Sequence, residues 1–179
     1  MTDLTLLETD RLVLSGWRPD QIDDLYRLHG DPTVAKYLTE HGQPWTREEM
    51  DKALAHWIDL FERQKMGKLR VTRKSDGALI GRCGFGVYGP DEIPEIGYSQ
   101  YPEYWGNGYI LEAATALRDW YWRETDRPYF IGLADVRNEG SLKILRKLGG
   151  VYTHTGNNDH GHYCEWYRYD RPQQVGAAA

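Results

Sequence analysis

The sequence predicts an α/β chain of the α+β kind, with a mixed, mostly antiparallel sheet of six to seven strands and helices on both faces. Three observations carry that reading. Over residues 68–98, short alternating segments follow one another with tight turn signals between them, as antiparallel neighbours do. Over residues 95–136 a strand, a helix and a second strand follow in turn, a crossover that places parallel neighbours in the same sheet. Amphipathic helical patterns precede and follow these strands, and their apolar stripes need a sheet face to cover.

In chain order, Arg11 to Ser15 alternates as a first strand and Gly16 ends it. Pro19-Asp20 starts a helix through Ile22, Leu25, Tyr26 and Leu28, stopped by Gly30. Asp31-Pro32-Thr33 starts a short helix with Val34, Tyr37 and Leu38, and residues 39–45 read as a polar, irregular loop. Thr46-Arg47-Glu48-Glu49 fits a capping box for a helix to about Lys65, with Met50, Leu54, Trp57, Ile58 and Phe61 facing the core. Residues 68–73 and 78–87 form a hairpin about Ser75-Asp76-Gly77, and Gly89-Pro90-Asp91 turns the chain into the strand ending at Tyr98. Pro102 closes that strand, and a helix follows with Ile110, Leu111, Ala114, Leu117 and Tyr121 on one side. After Arg127-Pro128, residues 129–136 read as a buried strand, and Asn138 caps a helix over residues 139–148 that Gly149-Gly150 ends. Residues 151–155 and 165–169 close the sheet as a pair, and the tail from Gln173 to Ala179 is expected to fray.

The 179 residues suit one domain, with a core over about residues 7–171. A net charge of -5 weighs against a general nucleic-acid binder, which neutralises phosphates with Lys and Arg. Two cysteines, Cys83 and Cys164, exclude a disulfide framework and a cysteine-rich zinc site. Met1-Thr2-Asp3 begins no signal pattern and no apolar run approaches a membrane span, so the expected location is cytoplasmic, as a monomer or homodimer.

Chemistry concentrates in residues 95–122. Between the strand ending at Tyr98 and the next helix lies Gly106-Asn107-Gly108. Glycine lets a ligand approach the backbone, and the first helical turn offers unpaired N–H donors at the positive end of a dipole. Residues 105–110 therefore read as an anion cradle. Taken alone, Gly106-x-Gly108 says little more than a helix start, because the third glycine of a dinucleotide fingerprint is replaced by Leu111 and no P-loop lysine follows.

Three signatures, in this order and at this spacing, resemble the GNAT superfamily of acyl-CoA-dependent N-acyltransferases. The first is Glu8-Thr9-Asp10-Arg11-Leu12-Val13-Leu14, followed by Asp31-Pro32-Thr33-Val34-Ala35-Lys36-Tyr37-Leu38. The second is Glu95-Ile96-Gly97-Tyr98, then Pro102-Glu103-Tyr104-Trp105-Gly106-Asn107-Gly108-Tyr109 with Glu112-Ala113. The third is Asn138-Glu139-Gly140-Ser141 with Leu145-Arg146-Lys147-Leu148-Gly149. The chain is most similar to the branch around the ribosomal-protein N-terminal acetyltransferases RimJ and RimL.

The resemblance implies a sheet splayed at its middle and acetyl-CoA as acyl donor. It implies that backbone amides of Trp105, Gly106, Asn107, Gly108, Tyr109 and Ile110 hold the pyrophosphate. It places the pantetheine arm on the backbone of Tyr98, Ser99 and Gln100 and on Asn138, with Ser141 near the thioester sulfur. CoA carries roughly four negative charges, so an acidic protein needs local cations, and Lys143, Arg146 and Lys147 are the expected source. Two departures stand out: Glu103 lies where the family usually has Gln or Arg and is expected to face solvent, and Leu145 lies where many members place an acidic tyrosine.

Acetyl transfer to nitrogen needs a neutral amine. A lysine amine with pKa near 10.4 needs a base at pH 7, whereas an α-amine near about 7.7–8.0 scarcely does. Glu95 is the expected general base, against the plainer reading of a strand-end carboxylate paired with an Arg. Ser141 is the expected hydrogen-bond donor or acid for the thiolate, and a backbone N–H of residues 98–100 meets the developing oxyanion. Direct attack in a ternary complex is implied. Trp17, Tyr37, Thr39, Trp45, His154 and Tyr163 are expected to line the acceptor cleft. The acceptor is a small-molecule amine or a protein N-terminus, and the acidic composition leans toward a basic one. A non-catalytic acyl-CoA sensor of the same fold is the alternative.

Other motifs carry less. The glycines of Gly81-Arg82-Cys83-Gly84-Phe85-Gly86 read as close strand packing or a bulge rather than an RNA-recognition strand. His154, His160, His162 and Cys164 lie on a flexible stretch, and no metal is expected there, although His160 or His162 falls near the acceptor cleft. Cys83 and Cys164 read as packed side chains rather than nucleophiles.

Overall fold

The computed structural model describes residues 4–39 and 42–173. The readings of Met1-Thr2-Asp3 and of the tail beyond Gln173 lie outside these residues, as do Glu40 and His41 of the expected loop.

The helices start where their caps require. Asp31 accepts the Thr33 amide at 2.7 Å to open α2 (Pro32–Ala35), directly after α1 (Ile22–His29). Thr46 and Glu49 complete a capping box at the head of α3 (Arg47–Gln64), with Thr46 N donating to the Glu49 carboxylate at 2.7 Å and Glu49 N to Thr46 Oγ1 at 3.3 Å. Two further helices, α4 (Tyr109–Glu124) and α5 (Glu139–Lys147), follow the glycine loop and Asn138.

One eight-stranded sheet, rather than the six to seven strands expected, runs in the order β1-β2-β3-β4-β5-β6-β8-β7. The strands are β1 (Thr5–Glu8), β2 (Leu12–Ser15), β3 (Gly67–Arg73), β4 (Leu79–Tyr88), β5 (Ile93–Gln100), β6 (Tyr129–Asp135), β7 (Val151–Asn157) and β8 (Tyr163–Asp170). The additional strand is β1, which pairs with β2 across the Thr9–Arg11 turn. Its four residues show no clean alternation, since Leu6 and Leu7 are both half-buried.

Every neighbouring pair is antiparallel except β5 and β6. That parallel pair meets only at Glu95 and Ile131. Beyond this vertex β5 runs on to Gln100 and β6 to Asp135, each still paired with its antiparallel partner. The sheet is therefore split at its middle.

Strand alternation assigns each side chain to a face. Cys83, Phe85 and Ile96 pack with Ala113, Ala114, Leu117 and Tyr121 of α4 and Leu142 and Leu145 of α5 in the larger core. Stacking of Phe85 on Tyr121, centroids 4.4 Å apart, belongs to this face. The opposite face carries Lys68, Arg82, Glu95, Gly97 and Ser99, under a second core of Trp17, Leu25, Met50, Leu54 and Trp57 from the α1 and α3 side. No described helix is long and apolar enough to cross a membrane.

Candidate active site

The split gives β5 chemically distinct edges. In an antiparallel ladder, alternate amides point to one neighbour and the rest to the other. Along residues 96–100 the amides and carbonyls aimed away from β4 face the gap left by β6. One of these demands is met internally, because the Gln100 carbonyl accepts the Trp105 indole N–H at 3.0 Å.

On the α4 face, the glycine loop has the geometry of an anion cradle. Gly106 and Gly108 take φ of +79° and +75°, a left-handed region in which any side chain is strained. A Cβ on Gly106 would meet nothing within 4 Å, and one on Gly108 only Arg11 Nη2 at 3.8 Å, so the space above the loop is open. Gly108 is the α4 N-cap and supplies no side-chain cap. Among the described residues no acceptor meets the amides of Tyr109, Ile110 and Leu111. The loop is braced from within: Asn107 Nδ2 donates to the Tyr104 and Trp105 carbonyls at 3.0 and 3.1 Å, and Gln100 Nε2 donates to Tyr104 O at 2.8 Å. Tyr109 and Ile110 bury their side chains, leaving only their amides to a ligand. These features fit a pyrophosphate.

Cations stand beside this loop that the sequence reading passed over. Arg11 donates Nη1 to the Asn107 carbonyl at 3.1 Å and Nε to Glu112 at 2.6 Å, and its guanidinium lies over the Tyr109 ring at 4.6 Å. Thr9 also donates to Glu112, at 2.5 Å, so this carboxylate in the first turn of α4 is fully engaged. Arg73 reaches the Tyr109 hydroxyl at 3.3 Å while pairing with Asp76. Of the cations expected at the cofactor, Arg146 is held by Glu165 at 2.8 Å and by the Tyr167 hydroxyl. Lys143 and Lys147 have no carboxylate partner among the described residues and line an open cleft of about 690 Å³ with Val136, Glu139 and Gly140. Glu103 is exposed, as expected.

Across the split from β5, Asn138 Oδ1 accepts the Ser141 amide at 3.1 Å and starts α5. Ser141 Oγ donates to the Tyr98 hydroxyl at 3.0 Å, and that hydroxyl donates to the Ser141 carbonyl at 3.1 Å. Burial pushes the Tyr98 phenol well above its ordinary range, so it holds its proton. Tyr98 thus brings a hydroxyl to Ser141 as well as the expected backbone.

Glu95 and Ser99 lie on the other face. Glu95, third residue of β5 and vertex of the split, is paired with Lys68 at 2.7 Å, their side chains 19% and 11% exposed. Lys68 Nζ also donates to the carbonyls of Glu95 and Gly84 at 3.2 and 3.3 Å. Burial lowers the Lys68 ammonium and Glu95 pulls it back up. The strand glycines make this pair possible: a Cβ on Gly97 would fall 2.5 Å from Lys68 Nζ, and one on Gly84 would clash with the Gly67 carbonyl. Close packing is thus their role, as the sequence suggested. From the sequence, Lys68 marks only the start of a strand.

Beside it, Arg82 and Ser99 oppose one another across β4 and β5. Arg82 Nε donates to His29 Nε2 at 2.8 Å, and Ser99 Oγ lies 3.2 Å from the same nitrogen. Burial, reinforced by Arg82, holds His29 well below its ordinary range, so the imidazole is neutral. Burial also pulls the Arg82 guanidinium down to about 10. Trp45 lies 4.4 Å from the His29 ring, Arg82 sits over Trp57 at 5.0 Å, and the Trp17 indole donates to Lys68 O at 2.6 Å.

The remaining expected lining residues divide. Thr39 O accepts from His162 Nε2 at 2.5 Å, and His162 Nδ1 lies 3.2 Å from buried Asp135 at the end of β6. Arg137 clasps Asp135 at 2.7 Å and stacks 5.8 Å over Tyr37. His154 instead stacks on Trp166 in the edge pair β7–β8, and Tyr163 is exposed there. Burial raises Cys83 to about 12 and Cys164 to about 11, which leaves both thiols protonated and unreactive. Among the described residues no group of three or more His, Cys, Asp or Glu side chains converges as a metal site would.

Asp135 yields a direct expectation. The Arg137 guanidinium holds its carboxyl at about 2, below an ordinary 3.8, so its ionised form favours the fold. That contribution is present above about pH 4 and lost as pH falls from 4 toward 2, and is worth roughly 2 kcal/mol. In urea unfolding at stepped pH, the stability difference between wild type and Asp135→Asn shrinks by that amount over this interval. A difference that is flat in pH contradicts the assignment.

A sheet split after one parallel bridge thus sets an open helix-start cradle on one face and a carboxylate on the other. The family model described as Acetyltransferase (GNAT) domain matches residues 11–151, and the chain belongs to that family. Bacillus subtilis YkkB is 31% identical over 166 residues, spanning 87% of this chain and 90% of its own. The N-acetyltransferase p20 of Bacillus licheniformis is 27% identical over 144 residues, 79% of this chain and 80% of its own. In fold, the chain is similar to a GNAT-family acetyltransferase from Bacillus anthracis, with TM-score 0.77 and 19% identity over 92% of this chain and 98% of that one. It is also similar to RimL, the ribosomal L7/L12 α-N-protein acetyltransferase solved with CoA, with TM-score 0.77 and 18% identity over 93% and 97%.

Proposed function

We propose that this chain transfers an acetyl group from acetyl-CoA to a primary amine by direct attack in a ternary complex. The observation that carries the reading is the split at Glu95–Ile131, which leaves the unpaired α4 amides on one face and Glu95 on the other. The donor supplies an acetyl thioester. The amides of residues 105–110 bind its pyrophosphate, with Arg11 adding positive potential. The free-edge backbone groups of Tyr98 and Gln100, on either side of Ser99 whose own backbone bonds to β4, orient the arm in the gap together with Asn138. Ser141 turns its hydroxyl proton from the Tyr98 hydroxyl to the sulfur and donates a hydrogen bond to it as it leaves. Glu95 takes the proton from the amine, directly or through water, and Lys68 fixes the carboxylate in place. Under this reading Ser141→Ala loses one hydrogen bond, so kcat falls about tenfold with KM for the amine little changed. An unaltered kcat removes Ser141 from the chemistry.

The test is release of free CoA from acetyl-CoA across a panel of small amines and peptides, with acetylated product identified by mass. A second reading, a non-catalytic acyl-CoA sensor, predicts stabilisation by acetyl-CoA with no thiol release.

A further inference from the structure

Among the described residues, the layer between the split sheet and α1/α3 holds the buried or half-buried cations Lys68, Arg70 and Arg82 of the sheet and the carboxylates Asp24 of α1 and Glu95 of β5. Lys68 pairs with Glu95 and Arg70 with Asp24. Arg82, only 5% exposed, pairs with no carboxylate among the described residues. Its Nη1 is buried and has no hydrogen-bond partner. A guanidinium has only donors, so the nitrogen that receives Arg82 Nε, His29 Nε2, is unprotonated, and the neutral imidazole carries its proton on Nδ1. His29 Nδ1 is likewise buried and unpartnered. One cluster thus holds two buried donors, one of them cationic, with no acceptor for either among the described residues. Buried donors left in this state are costly, and an oxyanion satisfies both charge and hydrogen bonding.

The cluster's place points to the acceptor. Ser99, opposite Arg82, lies on β5 beyond the vertex, between Tyr98 and Gln100 whose backbones face the gap, and on the pleated strand it shares its face with Glu95. Trp45, half-buried, covers His29 from the stretch before α3. We infer that the Arg82–His29–Ser99 cluster is an oxyanion subsite for the acceptor, so that the amine acetylated here also bears a carboxylate, phosphonate or sulfonate, amino acids being the simplest class. The inference rests on the acetyl-transfer reading and narrows its acceptor, replacing the basic acceptor that the acidic composition suggested.

The experiment compares matched acceptors at fixed ionic strength: amino acids against their C-terminal amides, and aminoalkyl phosphonates and sulfonates against plain alkylamines. Each is scored for acetyl transfer and, without turnover, for quenching of tryptophan fluorescence in the CoA-loaded protein. The anionic member of each pair is preferred by roughly 10²-fold in kcat/KM and binds more tightly. In Arg82→Gln that preference collapses, and Arg82→Lys restores part of it. The wild-type comparison stands whether or not the variants fold. Neutral partners used as well as or better than anionic ones, or no response to any anion, overturns the subsite while leaving acetyl transfer in place. Selective anion binding without any transfer keeps the subsite and removes the acetyltransferase reading.

Discussion

Replacing Glu95 with glutamine lowers kcat/KM at pH 7 by about 10²-fold or more, the range typical for loss of a general base. The deficit narrows as pH rises toward the pKa of the acceptor amine, because solvent then performs the deprotonation that Glu95 supplies at neutrality. The same substitution has a structural cost. It removes the one carboxylate bonded to Lys68 among the described residues and leaves the ammonium only neutral oxygens there, the Gly84 and residue 95 carbonyls and the new side-chain amide. Breaking a buried pair costs about 3 kcal/mol when one charge is left behind, somewhat less here because Glu95 retains partial exposure. The two effects separate in Glu95→Gln combined with Lys68→Met, which recovers stability by removing the stranded charge but recovers no activity. A pH–rate profile with the wild-type shape in Glu95→Gln removes the base role and leaves Glu95 a structural partner of Lys68.

Gly108→Val raises the Kd for CoA by at least about 30-fold, a loss of about 2 kcal/mol in binding. The φ of +75° at the α4 N-cap is strained for a β-branched residue, and the new side chain projects into the open space above the loop. Strain alone also lowers stability, by roughly 1–3 kcal/mol. Gly89→Val is the matched control. Gly89 has φ of +66°, meets nothing within 4 Å, and lies in the β4–β5 turn at the far end of β5 from the loop. It shows a comparable loss of stability with CoA affinity intact. Equal CoA affinity in the two variants contradicts the cradle.

Elements governed by local rules were legible in the residues. Thr46 with Glu49, Asp31 before Pro32, and Asn138 before Ser141 each announce a helix start through a cap that the structure contains. The Gly106-Asn107-Gly108 turn was legible for the same reason, since left-handed backbone leaves its mark in the residue type. Strand β1 was not, because four residues without alternation resemble any extended chain. The charged layer under the sheet was hidden for another reason. Lys68, Arg82 and Glu95 come together through strand pairing, and the glycines that clear space for Lys68 do not name the side chain they admit. Arg11 lies 96 positions from Asn107, and neither its strand nor its place in the first signature marks it as a cation beside the loop. Long-range partners of buried charges depend on register across the sheet, which one sequence does not spell out.

In the proposed transfer, acetyl-CoA held at residues 105–110 meets an amine through the split between β5 and β6. Free thiol measured in a mixture of protein, acetyl-CoA and the amine panel tests it most directly. The expected result is stoichiometric release of CoA and acetylated amine, weakened in step with CoA binding in Gly108→Val and suppressed at neutral pH in Glu95→Gln. Tight binding of acetyl-CoA with no thiol released above the protein-free rate for any acceptor contradicts it.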